Sequence, residues 1–125
     1  MTKAEVAEYR TYWRERAERE AAHRLELASK AHAEARRVAQ MLVHDFGARR
    51  VYLFGSLARE GRFRERSDVD LAVEGIAPGR FFKAWAAAGA HANVPIELVD
   101  MDEVGETMRG LILEYGELLC DAGTD

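Results

Sequence analysis

A chain of 125 residues, 48% apolar and 32% charged with two prolines, has enough apolar sequence for one core and too little length for separate cofactor and substrate domains. The single cysteine, Cys120, excludes an internal disulfide scaffold, no apolar run approaches the roughly 20 residues of a membrane span, and no apolar leader opens the sequence, so a cytoplasmic protein without membrane contact is expected. The net charge of −4 is uneven: residues 1–50 carry 11 Lys+Arg against 8 Asp+Glu and residues 51–125 carry 7 against 14, which argues against general nucleic-acid binding and suits metal ions better.

From Thr2 to Phe46 there is neither Gly nor Pro. Thr2 and Glu5 have capping-box spacing, Glu15/Arg19, Glu20/Arg24 and Glu26/Lys30 are favourable i,i+4 pairs, and Gly47 supplies a left-handed stop. One helix over 3–46 follows, with Ser29 as the place where it would bend into a hairpin if it did not run straight. Leu25, Ala28, Ala35, Val38, Leu42 and Phe46 share a face expected to pack on the remaining chain, leaving Val6, Tyr9, Tyr12 and Trp13 as an aromatic patch for a partner.

Beyond Gly47 the elements shorten. Val51–Phe54 reads as a buried strand followed by a Gly55-Ser56 turn. In the next strand Val69, Leu71 and Val73 alternate with Asp68, Asp70 and Ala72, so both aspartates share one face. Pro78 opens a helix whose Phe81, Phe82 and Trp85 are expected in the core and which ends near Gly89. A third strand, 95–100, sets Glu97 opposite to Ile96 and Leu98. Asp102 is expected to cap a last helix bearing Val104, Met108, Leu111, Ile112 and Tyr115, stopped by Gly116 before a Leu118–Cys120 segment.

The chemistry gathers between Gly55 and Glu97. Two neighbouring carboxylates, Asp68 and Asp70, repel unless a hard divalent cation lies between them, and Mg²⁺ prefers carboxylate oxygens together with substrate phosphates. Gly55 lets a phosphate approach the backbone, Ser56 extends that anion site, and Arg59 and Arg66 stand in the one basic stretch, with Arg62 and Arg64, where they can clamp a triphosphate. No Gly-Lys-Ser/Thr follows, so this is not a Walker A loop. The four histidines show no metal-ligand spacing, and Cys120 reads as a small core residue.

Leu53-Phe54-Gly55-Ser56-Leu57-Ala58-Arg59 followed by Arg66-Ser67-Asp68-Val69-Asp70-Leu71-Ala72-Val73 resembles the minimal nucleotidyltransferases of the DNA polymerase beta superfamily over roughly residues 48–120. The spacer between Ser56 and Asp68 is one residue longer than the usual pattern, and Glu60 stands where the family usually has Gly. The resemblance implies an α/β fold, a small mixed sheet with helices on one face, as a nucleotidyltransferase domain over 47–125, which the helix 1–46, outside the family's minimal domain, precedes. It implies two Mg²⁺ ions held by Asp68, Asp70 and Glu97, with Gly55, Ser56, Arg59 and Arg66 on the triphosphate of ATP or another NTP. The implied reaction moves a nucleoside monophosphate to an acceptor hydroxyl, with Glu97 as metal ligand or base. Family members often bind HEPN-type toxins, some of which they modify on tyrosine. A HEPN-type partner or a homodimer through the first helix is therefore expected. Two other functions fit the same residues: a non-catalytic antitoxin with a residual nucleotide pocket, and a transferase acting on a small-molecule hydroxyl.

Overall fold

The computed structural model describes residues 1–59 and 61–123, so Glu60 lies outside the described residues. Helix α1 (Lys3–Phe46) is one continuous helix of 44 residues with no break at Ser29, which at 1.5 Å per residue is about 66 Å long. Thr2 caps it, its Oγ1 accepting from the Glu5 N–H at 3.1 Å. Gly47 ends it at φ 74°, where a residue without Cβ adopts the left-handed region freely, and the N–H groups of Gly47 and Ala48 donate to the Val43 and Leu42 carbonyls. Of the three expected helical ion pairs Glu26–Lys30 forms, at 3.2 Å. Glu20 is taken instead by Arg16, at 3.1 Å.

Strand β1 (Arg50–Phe54) pairs antiparallel with β2 (Val69–Glu74) on one side and with β4 (Glu117–Asp121) on the other; β3 (Ile96–Asp100) lies parallel to β2, giving the order β3-β2-β1-β4. A parallel neighbour requires a crossover, and helix α2 (Phe81–His91), entered through a 3-10 turn at Pro78–Arg80, supplies it. Val51, Leu53, Val69, Leu71, Val73, Ile96 and Leu98 form the inward face, packed in one cluster with Ala31, Ala35, Val38 and Leu42 of α1 and Ala84 and Ala88 of α2. On the opposite face, helix α3 (Glu106–Tyr115) adds Ile112, which packs with Ala72 and Met101 and covers part of the carboxylate side.

Several side chains differ from expectation. Leu25 is 62% exposed, and the buried stripe of α1 begins six residues on, at Ala31. Phe82 is 76% exposed because Phe81 and Trp85 occupy the core-facing side of α2, where Trp85 Nε1 donates to the Ile96 carbonyl at 3.0 Å. The last helix starts at Glu106 with Gly105 as its cap, since Asp102 belongs to a turn in which its N–H donates to Asp100 Oδ1. Its Met108, Leu111 and Tyr115 face solvent.

Candidate functional site

The site is built by strand register. β1 pairs Phe54 with Asp70, so the residue leaving β1, Gly55, lies over the Asp70 side chain. β3 pairs Glu97 with Asp70 in the parallel ladder, and Asp68 precedes β2 by one residue on the same face. The structure therefore brings Gly55, Ser56, Asp68, Asp70 and Glu97 to one end of the sheet.

Gly55 is required there for two reasons. Its φ is 75°, a backbone conformation that side chains rarely adopt, and a Cβ added to it would fall 2.1 Å from Asp70 Oδ2 and 3.0 Å from its Cγ, so the carboxylate would have to turn away. From Gly55 the backbone winds into a 3-10 turn, Gly55–Ala58, closed by the Arg59 N–H donating to the Ser56 carbonyl at 3.2 Å. Ser56 is half-buried in that turn, Asp70 is half-buried beneath it, and Asp68 and Glu97 are exposed on either side.

The electrostatics single out Asp70. Burial lifts its carboxyl above the ordinary aspartate value, and the charges of Asp68 and Glu97 lift it further. Such a cluster gains from a cation. Among the described residues no group of three or more His, Cys, Asp or Glu side chains converges closely enough to cage a metal by itself. Oxygen donors with open flanks suit Mg²⁺, which usually keeps several waters and completes its shell with substrate phosphate oxygens.

The arginines separate. Arg59 lines a cleft of about 200 Å³ with Gly55, Met108, Leu111 and Tyr115, between the 3-10 turn and α3. Arg66 is exposed and lines a groove against Glu20 and His23 of α1. Arg64 holds the connecting loop together, Nη1 donating to the Gly61 carbonyl at 2.6 Å while its N–H donates to Ser67 Oγ at 3.0 Å. Buried Phe63 and the His23–Glu65 contact at 2.9 Å fasten this loop to the body. The apolar flank of the cleft, Met108, Leu111 and Tyr115, was not legible as a site element. Its helical spacing is the same as that of a core stripe.

Residues 36–125 match the sequence profile of the family described as polymerase beta, nucleotidyltransferase. The chain belongs to that family. This nucleotidyltransferase domain is similar to a solved structure assigned to the minimal nucleotidyltransferases, at 28% identity and TM-score 0.59 over 71% of this chain and 92% of that one. It shares its fold with a toxin-antitoxin crystallised with AMP-PNP, at 20% identity and TM-score 0.59 over 69% of this chain and 73% of that one. It also shares it with the toxin-antitoxin MntA-HepT, at 16% identity and TM-score 0.56 over 72% of each chain. No curated protein sequence matches the chain. Among the described residues no helix of the chain is long and apolar enough to cross a membrane.

Proposed function

We propose that this chain transfers a nucleoside monophosphate, most simply AMP from ATP, to an acceptor hydroxyl, and that the acceptor belongs to a toxin-type protein partner. The observation that carries the reading is Gly55 seated on Asp70, with Asp68 and Glu97 beside it: a residue free of side chain meets three carboxylates that hold no ion pair among the described residues. That pairs a place for a triphosphate with a place for its counter-ions. A toxin-type partner is supported by the toxin-antitoxin structures that share the fold.

Mg²⁺, when bound, supplies charge neutralisation at the triphosphate and at the developing negative charge of transfer. Asp68 and Asp70 would hold it, with Glu97 as the third oxygen donor or as the base for the acceptor proton. In the reaction the acceptor oxygen forms a bond to the α-phosphorus as the α–β bridging P–O bond breaks. Pyrophosphate leaves, and the hydroxyl proton passes to a carboxylate or to water. The Gly55–Ala58 turn orients the triphosphate through backbone N–H groups and Ser56, and Arg59 at the adjacent cleft offers a guanidinium to the leaving phosphates.

The test incubates the protein with Mg²⁺, α-labelled ATP and the protein encoded beside it. Label retained on the partner, absent with γ-labelled ATP and lost with Glu97→Gln, is the expected result. Glu97 is exposed, so this variant should melt with the wild type. A tight complex with no label transferred would replace this reading with a non-catalytic antitoxin.

A further inference from the structure

The N-terminal part of α1 stands clear of the molecule. Among the described residues the first α1 side chain bonded to another element is His23, at 2.9 Å from Glu65 Oε1, and buried α1 positions begin at Ala31. Over residues 3–22 all positions are exposed except Val6 and Ala21, which are partly covered.

This free segment still carries the core-facing side of the helix. The buried stripe Ala31, Ala35, Val38, Leu42 advances in steps of three and four. The same steps taken backward through Ala28 and Arg24 reach Ala21, Ala17 and Trp13. Trp13 is 46% exposed on this side, edge-on to Tyr9 and Tyr12, with the Arg16 guanidinium 5.1 Å from its ring centre and Arg16 Nε 3.1 Å from Glu20.

Charge selects the occupant. Residues 14–20 read Arg-Glu-Arg-Ala-Glu-Arg-Glu, and reversing the segment about Ala17 exchanges the sign at every position. With Ala17 facing the crossing, an antiparallel copy brings Arg14 beside the partner's Glu18 along one edge of the contact and Arg16 beside the partner's Glu20 along the other, while Glu15 and Arg19 lie on the far side of the helix. A parallel copy in register sets each charge against its own kind. The same crossing puts Trp13 level with the partner's Ala21, a large side chain against a small one. Ala17 at the crossing lets the two helix axes approach closely. Further out the match fails, with Arg10 level with the partner's Arg24 and Glu8 with the partner's Glu26. The complementary stretch therefore closes within residues 12–22, N-terminal to His23 and its loop contact.

We infer that residues 12–22 of α1 form a self-association surface on which two copies cross antiparallel about Ala17, giving a two-fold homodimer whose interface is isologous. The inference is independent of nucleotide transfer. Its test is sedimentation of the full chain across a concentration series at low and high salt, with helix content followed by circular dichroism. The wild type is expected to pass from monomer to dimer as concentration rises. Arg14→Glu/Arg16→Glu and, separately, Glu18→Arg/Glu20→Arg should each weaken dimerisation by about tenfold or more. An equimolar mixture of the two variants should dimerise again, because the charges at 14 and 18, and at 16 and 20, are then opposite in sign between the two chains. A wild type that stays monomeric throughout overturns the inference, including when another protein proves to bind this face. So do charge variants that dimerise as well as the wild type, or a mixture that fails to restore association.

Discussion

Two residues in contact, Gly55 and Asp70, hold most of what makes the site specific. Gly55→Ala combines a positive φ with a Cβ driven into the Asp70 carboxylate. It should cost about 1–3 kcal/mol of stability and at least an order of magnitude in nucleotide transfer, read by melting and by label incorporation. Asp70 gives a prediction of opposite sign. Its folded value is raised above the unfolded one, first by burial and then by Asp68 and Glu97, so its contribution to stability is complete below the ordinary aspartate value. That contribution is lost as pH rises through the folded value, and at neutral pH the ionised carboxylate works against folding. In metal-free buffer Asp70→Asn should therefore melt a few degrees above the wild type at pH 7 and together with it near pH 3. Millimolar Mg²⁺ should raise the melting point of the wild type alone. At this scale the sequence was informative about which carboxylates share a face, since period two places Asp68 and Asp70 together. It set Arg66 on the triphosphate, but the direction of that side chain depends on how a loop with Phe63 as its anchor folds onto α1, where Arg66 lines a groove with Glu20 and His23.

Among the elements, α1 was readable because nothing in forty-odd residues interrupts a helix and both ends carry caps of known geometry. The helix 106–115 was harder to place: Asp102 has the chemistry of a cap, but Asp100, two residues earlier, captures its N–H in a turn first. Apolar spacing also misled at Leu25 and Phe82, since periodicity reports a helix face and leaves open how far along the helix that face is covered. The consequence is measurable within α1. Leu42 is fully buried, and Leu42→Ala should cost about 2–5 kcal/mol, whereas Leu25→Ala, at a position 62% exposed, should stay within about 0.5 kcal/mol in denaturant unfolding. Equal costs at the two positions would mean that the first half of α1 is packed in solution.

At the scale of the molecule, one helix serves two purposes along its length. Its second half closes the core beneath the sheet, and the matching family profile begins at residue 36, within that half. The first half contributes no fully buried side chain, so the fold does not account for its regular helix or its aromatic surface. Deleting residues 1–22 removes Trp13 and the complementary charges while leaving His23, its contact to Glu65 and every buried α1 residue in place. The shortened chain should therefore melt within a few degrees of the full one in dilute solution, where the full chain is monomeric, and transfer nucleotide at the same rate. It should also sediment as a monomer at concentrations where the full chain pairs. A large drop in melting temperature would show that the helix stabilises its own domain. Unchanged self-association would move the contact elsewhere on the surface.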